Sequence, residues 1–409
     1  MTLVFHHSFL IGYFVIPHFF LLGLLCLAAL GHGYVWIAAI NRLHGMAGSK
    51  KLIDLATNIC LATFLFIPLL VAWQWNDLNI GSARGSFSSG DGLLIYISLC
   101  TLWGAVKLAL LWLGPRPADH PLTLLSHRQE RVKFPEQSNH QQHFGTFSRL
   151  LSRIQVNQTL QLCVDRKQLV IPRLHKSHEG LTIAHIGDLH MTGRIGKQWF
   201  VSVCQEVNHL QADVVTITGD ILENELCWPW LAESLGVLNA KYGVYYVLGN
   251  HDKYVDFHHT KKILDTQGLT YIGDDPITTE WNESAVLLAG NELPWIDQVS
   301  DLSDAPERNS AGLPLHIFLL HTPDQFTWAC QGDADLVLAG HTHGGQVRLP
   351  VLGPVACPSL YGTRYACGVF KSGNTVMHVT RGISGKTPLR INCPPEIALL
   401  ELVRPEDPS

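Results

Sequence analysis

Leu181-Thr-Ile-Ala-His-Ile-Gly-Asp-Leu-His190 is a short apolar run that stops at a glycine and delivers an aspartate and a histidine. A run of that length, closed by a turn-forming glycine, reads as a buried strand. The pattern recurs along the chain. Residues 214–218 lead into Gly219-Asp220, and residues 244–248 into Gly249-Asn250-His251-Asp252. Residues 315–320 lead into His321-Thr322-Pro323-Asp324, and residues 336–339 into Gly340-His341-Thr342-His343-Gly344-Gly345. Residues 286–289 form another apolar run, while residues 198–210 and 228–238 carry helical spacing between the first three strands. Alternation of this kind predicts crossover units and an α/β domain built on a largely parallel sheet. Residues 375–380 and 396–403 read as later strands that close a second sheet.

Open α/β sheets bind ligands at the carboxyl ends of their strands. Five strand ends that carry Asp, His or Asn to one edge are therefore a candidate site. These side chains offer the oxygen and imidazole ligands that suit divalent Mn, Fe, Zn or Co. Cysteine is missing from all five loops, which disfavours a structural zinc site. Adjacent glycines let the backbone turn sharply and approach an ion. Strand alternation within Asp188-Leu189-His190 and within His341-Thr342-His343 would point both polar groups of each pair the same way.

In this order, Asp-x-His, Gly-Asp, Gly-Asn-His-Asp, a lone His and Gly-His-Thr-His resemble the calcineurin-like metallophosphoesterase superfamily over residues 181–403. Residues 344–350 and 381–396 resemble its membrane-associated bacterial branch. The resemblance implies a four-layer αββα sandwich. It implies two divalent metal ions, one on Asp188, His190 and His343, the other on Asn250, His321 and His341, with Asp220 bridging. It also gives His251 the task of protonating the leaving alkoxide or steadying transition-state charge, with Asp252 expected to orient it. Residues 221–224, Ile-Leu-Glu-Asn, lack the second Asp that many relatives carry, and Glu223 receives no role. Two cations about 4 Å apart would clamp the attacking and leaving oxygens, and a water on them, its pKa lowered to about 7, would attack phosphorus without a phosphoenzyme.

The rest of the chain places that chemistry. Residues 9–40, 53–75 and 93–113 are apolar and long enough to cross a bilayer, so residues 1–115 read as a membrane region of about three spans. The first stretch, with Pro17, His18 and His32, exceeds one span and leaves room for a re-entrant segment; both histidines are expected at the interface. Basic flanks hold Arg42, Lys50 and Lys51 after the first span, Arg84 after the second, and Arg116, Arg128, Arg131 and Lys133 after the third. That alternation predicts the large domain in the cytoplasm, and the branch resemblance implies the bacterial inner membrane. Residues 116–155 read as a linker, with a helix over 147–156 lying along the membrane surface, and residues 156–409 as the hydrolase domain. The ten cysteines form no regular spacing, as expected of free thiols in a reducing compartment. A net charge of −5 argues against nucleic acid as a partner.

The expected activity is hydrolysis of a phosphodiester or pyrophosphate, with manganese a suitable metal and a lipid-linked substrate a reason for the anchor. Arg348 and Arg381 are candidates to grip a phosphate, with a structural role equally open; Trp228 and Trp295 are expected in packing, and Asp324 as a helix cap. A phosphomonoesterase acting on phosphoproteins is the rival enzyme. A non-catalytic membrane scaffold would have lost ligands, and none is missing here.

Overall fold

The computed structural model describes residues 4–74, 89–113, 123–132, 142–296, 299–303, 305–306, 308–309 and 313–406, with backbone alone for 4–19, 74, 89–90 and 111–113. The chain divides into two compact units, Met1–His44 with Gly48–Arg116, and Gly45–Ala47 with Pro117–Ser409.

The first unit is three helices, α1 (Val4–His44), α2 (Lys50–Gln74) and α3 (Ser89–Leu113). Within them Phe20–His44, Lys50–Trp73 and Asp91–Leu110 are long and apolar enough to cross a bilayer. The first stretch is one continuous helix of 41 residues, so the re-entrant segment is corrected. The side chain of His18, the loop bearing Arg84 and the segment bearing Arg116 lie outside the described residues. Helices α1 and α3 cross where each has a glycine: a Cβ on Gly31 would stand 1.8 Å from the Cys100 carbonyl oxygen, and one on Gly104 2.1 Å from that of Leu27. Small residues at such crossings are how membrane helices pack without a hydrophobic driving force.

Pro68 lies inside α2 and has no N–H, which leaves the Phe64 carbonyl, four residues earlier, without its helical partner. His32 supplies one. Its Nε2 donates to Phe64 O (2.9 Å), its Nδ1 accepts from the Tyr96 hydroxyl (2.6 Å), and Trp36 Nε1 donates to that same hydroxyl (3.2 Å). His32 is buried inside the bundle rather than at an interface, because a freed carbonyl at that depth needs a donor.

The second unit is built on two sheets. The first orders its strands β1 (Leu124–Arg131), β2 (Cys163–Val170), β15 (Glu396–Val403), β3 (Thr182–Ile186), β4 (Val214–Thr218), β5 (Val244–Val247) and β6 (Thr270–Tyr271). Strands β3 to β6 are parallel, β15 is antiparallel to β3, β2 follows β15, and β1 is antiparallel to β2. The second sheet orders β13 (Gly368–Ser372), β14 (Thr375–Val379), β10 (Leu336–Ala339), β9 (Leu315–Leu320), β8 (Ser284–Asn291) and β7 (Ile277–Trp281), with parallel pairing from β14 to β8. A separate ribbon pairs β11 (Arg348–Leu349) with β12 (Gly353–Pro354).

Residues alternate between faces, as a strand requires. Ile183, Val214 and Val247 meet Leu288, Ile317 and Leu338 between the sheets. Ala184, Ile186, Val215 and Ile217 face outward, under helices α5 (Lys197–His209), α6 (Trp228–Glu233) and α7 (Phe257–Thr266). Helix α8 (Phe326–Gln331) covers the far side of the second sheet. The result is four layers, αββα. Burial on both faces explains why these strands read as unbroken apolar runs.

Two expectations are corrected. Residues 396–403 enter the first sheet, between β2 and β3, and do not close the second. Their partner β2 has Asp165 and Lys167 buried where a core strand would carry aliphatics, and these are paired: Arg381 with Asp165 (3.0 Å) and Lys167 with Glu396 (2.6 Å). The expected linker of residues 116–155 contains β1, a polar edge strand, while α4 (Thr146–Ser152) lies where a helix was expected over residues 147–156.

Candidate metal centre

All five ligand-bearing loops leave the carboxyl ends of β3, β4, β5, β9 and β10. Backbone bonds lash them together. Asp188 N–H donates to Gly219 O (3.0 Å), His190 N–H to Asp220 O (2.8 Å), and Gly340 N–H to His321 O (3.0 Å). Side chains add His251 N–H to Asp220 Oδ1 (2.8 Å) and His341 N–H to Asp188 Oδ1 (2.9 Å). Close approach needs glycine: a Cβ on Gly249 would lie 2.3 Å from Asp220 Oδ1.

The structure brings all seven expected ligands together in two overlapping groups. One ligand atom from each of Asp188, His190, Asp220 and His343 lies within 4.8 Å of the others, and the same holds for Asp220, His321 and His341. Asn250 Oδ1 is 2.9 Å from His321 Nε2, which joins it to the second group. Asp220 belongs to both. Asp188 Oδ2, Asp220 Oδ2 and His341 Nε2 are buried there without a hydrogen-bond partner. Orphaned polar atoms cost free energy unless something fills the space between them. The donor set of carboxylate and imidazole fits a divalent cation.

The outer ring nitrogens are already engaged. His321 Nδ1 donates to Thr218 O (2.9 Å), His343 Nδ1 to Ser384 O (3.3 Å), and His190 Nδ1 bonds Glu223 Oε1. Each contact turns a lone pair on Nε2 toward the centre, as ligand histidines require. Convergence does not come from strand alternation. Asp188, His190, Asp220, His341 and His343 have φ of 50°, 45°, 51°, 70° and 54°. Left-handed backbone costs a non-glycine residue roughly 1–2 kcal/mol, and it persists where the surroundings over-determine it, commonly at functional sites.

Electrostatics follow from burial and crowding. Burial, with the Asp220 charge added, pushes Asp188 up to about 6 against the pull of His321 and His190. Burial alone would also raise Asp220, but four surrounding imidazoles, led by His321, hold it well below the usual carboxylate range. His190 is shifted to about 9: burial opposes its charge, and Asp220 and Glu223 outweigh burial. Burial and neighbouring imidazoles keep His341 and His343 far below the ordinary value and neutral.

Three expectations change here. Asp252 does not orient His251; its carboxylate accepts the backbone N–H of Ile221 (3.0 Å), Leu222 (2.8 Å) and Gly249 (2.8 Å) and so clamps two metal loops. Glu223 is the carboxylate beside that ring. Its Oε2 lies 3.1 Å from His251 Nδ1 in ion-pair contact, while Oε1 holds His190. The signal was an acidic residue in the segment after Asp220, one methylene longer than the Asp of relatives. Asp324 is not a cap, since Thr322 caps that turn; its carboxylate accepts from Ser359 Oγ (2.5 Å) and Leu360 N–H (2.8 Å). Arg381 grips Asp165 with both terminal nitrogens, and Arg348 NH1 points at Cys367 Sγ (2.9 Å), so both are engaged within the fold. Trp295 lies against the rings of His341 (4.5 Å) and His321 (5.7 Å), and Trp228 bonds Thr260. All ten cysteines are free.

Comparison with known proteins agrees with this geometry. Residues 181–345 match the family model of the calcineurin-like phosphoesterases. The chain is 29% identical over 234 residues to the uncharacterized metallophosphoesterase YkuE of Bacillus subtilis, covering 55% of this chain and 79% of that one. It is 30% identical over 197 residues to the phosphodiesterase YaeI of Escherichia coli, covering 47% and 70%. A transmembrane protein with metallophosphoesterase domain from Danio rerio is 28% identical over 229 residues, covering 53% and 51%. The chain therefore belongs to the calcineurin-like phosphoesterase family, and it is a metal-dependent hydrolase of phosphoric esters.

Proposed function

We propose that this protein hydrolyses a phosphodiester or pyrophosphate bond at the cytoplasmic surface of a membrane, on a lipid-linked substrate, with two divalent cations. In this reading Asp188, His190 and His343 hold one cation, Asn250, His321 and His341 the other, and Asp220 both. The observation that carries it is the shared Asp220, buried with an orphaned oxygen between two ligand groups. Bound cations would supply the activated water and neutralise phosphate charge.

The chain's own residues do the rest. Glu223 engages Nδ1 of His251, which frees Nε2 to hand a proton to the departing oxygen. The same carboxylate sets the His190 ring, so ligand geometry and proton donor are fixed together. Asp252 holds the Asp220 and Asn250 loops in register. The diesterase preference is supported by likeness to YaeI, named a phosphodiesterase. Cytoplasmic placement is supported by the basic residues Arg42, Lys50 and Lys51, against the lone Arg84.

The test uses full-length protein in detergent, stripped of metal and then given manganese. An aryl phosphodiester should be hydrolysed in preference to the matching monoester. Preference for the monoester would replace this reading with the phosphoprotein phosphatase one, and no turnover with any divalent metal would end it.

A further inference from the structure

Strands β2 and β15 run opposite to β3, so the segments leading into them lie at the metal end of the first sheet. Three stretches of chain run side by side there, with residues 388–393 in the middle. On one flank Arg348 N–H donates to Ile391 O and Ile391 N–H to Gln346 O, both at 2.9 Å. On the other, Gln158 N–H donates to Arg390 O (2.7 Å) and Arg390 N–H to Asn157 Oδ1 (3.0 Å). The first flank continues into the β11–β12 hairpin, and the second is the exit from α4. The middle stretch is itself tied to the metal centre, because Arg390 NH2 donates to Ser384 O, the oxygen that accepts from His343.

Both flanks end in bare apolar side chains. Phe147, Leu150 and Val156 are 54%, 59% and 60% exposed around α4, and Leu349 and Val351 are 44% and 92% exposed at the hairpin. Val351 also sits at φ 67°, a conformation that a β-branched residue strongly disfavours. The hairpin thus holds a valine outward where glycine or asparagine would turn more easily. Charge follows the same division. Residues 142–158, 346–355 and 384–395 contain no Asp or Glu, in a chain with 34 of them. Arg149, Arg153 and Lys386 stand exposed among the apolar tips.

What covers this edge is indicated by the chain itself. Ten residues separate Leu113, the end of the last apolar helix, from Leu124 at the start of β1. Fully extended, ten residues reach at most about 35 Å, which keeps the unit within reach of lipid headgroups.

We propose that α4 and the β11–β12 hairpin form one bilayer-docking edge, whose apolar tips enter the headgroup layer while Arg149, Arg153 and Lys386 meet anionic lipids. The proposal rests on reading the chain as a membrane-tethered hydrolase and adds which face meets the lipid. The docked edge and the metal centre share one end of the sheets, so a phosphate held at headgroup depth would reach the cations without leaving the bilayer.

The test does not depend on turnover. Full-length protein is placed in vesicles of phosphatidylcholine with phosphatidylglycerol, carrying Val351→p-benzoylphenylalanine, Val156→p-benzoylphenylalanine or, as control, Val237→p-benzoylphenylalanine. Val237 lies at the opposite end of the strands, where its carbonyl accepts from Asn208 near the end of α5. Illumination should give lipid adducts at 351 and 156 at least about fivefold above 237, and Arg149→Glu with Lys386→Glu should lower them severalfold. Equal yields at the three positions, or adducts at 351 and 156 chiefly to a second copy of the chain, would overturn the proposal. Lipid adducts from a protein that proves inactive would leave the docking edge standing while the hydrolase reading fell.

Discussion

In the three-helix unit His32 has a partner on each ring nitrogen, and the carbonyl it serves is one that Pro68 left bare. In the hydrolase unit the buried Asp188, Asp220 and His341 each keep an atom with no hydrogen-bond partner, and these atoms converge. Both regions bury polar groups at a cost. Around His32 both ring nitrogens are bonded, which is what packing demands. The other region leaves its unsatisfied atoms facing one point and holds five of its ligands in left-handed backbone. A buried histidine is therefore read by its company: His32 is bonded to a carbonyl and a hydroxyl, whereas His190, His321, His341 and His343 turn ring nitrogens toward one another and toward Asp220.

The largest expected effect breaks the unsatisfied region at its shared member. Asp220→Ala should lower turnover of a phosphodiester by at least about 10³-fold, since the cations contribute several kcal/mol of charge stabilisation. Elemental analysis should show loss of metal from both groups. An Asp220→Ala protein that keeps its full metal content and activity would remove the bridging assignment. Next comes Glu223→Gln. It keeps an acceptor for His190 but loses the charge that engages two histidines. Partners of this kind are worth about 10–100-fold in metal affinity or activity. Both should decline here, measured by metal titration and by kcat. A change in neither would return Glu223 to the bystander that its absence from the sequence pattern suggested.

That residue marks where the sequence stopped being legible. Strands β3, β4, β5, β8, β9, β10 and β14 were readable because burial on both faces makes them unbroken apolar runs. The ligand loops were readable because each follows such a run. Strand β2 was not, because Asp165 and Lys167 satisfy one another's neighbours across chain distances that hydropathy does not register. Strand β1 was hidden by the polarity of an edge. Asp252 was misplaced for a geometric reason: it adjoins His251 in sequence, yet its short carboxylate is used up by three backbone donors, whereas Glu223 reaches His251 from another loop.

A satisfied carboxyl in the hydrolase unit sharpens the contrast further. Glu292 is buried, and it accepts from Leu248 N–H and bonds the Tyr271 hydroxyl. Burial, ahead of any neighbouring charge, pushes it up to about 8. A carboxyl raised in the folded state stabilises fully below its unfolded pKa of about 4.3. That contribution is lost as pH rises through about 8. Between those limits the apparent melting point of the full-length protein in detergent should fall with pH. Glu292→Gln should flatten that fall by a few degrees, at about 2–4 °C per kcal/mol for a unit of this size. An unchanged slope would show that Glu292 does not titrate in this window.

The smallest effect tests the satisfied side directly. His32→Leu removes the donor to Phe64 O and should cost the helical unit about 0.5–2 kcal/mol, the range for polar contacts between membrane helices. Pro68→Ala restores an N–H four residues after Phe64, so the carbonyl regains its ordinary helical partner. If His32 is there to serve that carbonyl, its removal should cost less in the Pro68→Ala background than alone. Denaturant titration in mixed micelles measures the four proteins of this cycle, and the coupling energy isolates the pair. Equal costs in both backgrounds would mean that His32 works chiefly through Tyr96 and Trp36. In either background phosphodiester turnover should not change, because both ring nitrogens of His32 are spent on Phe64 and Tyr96.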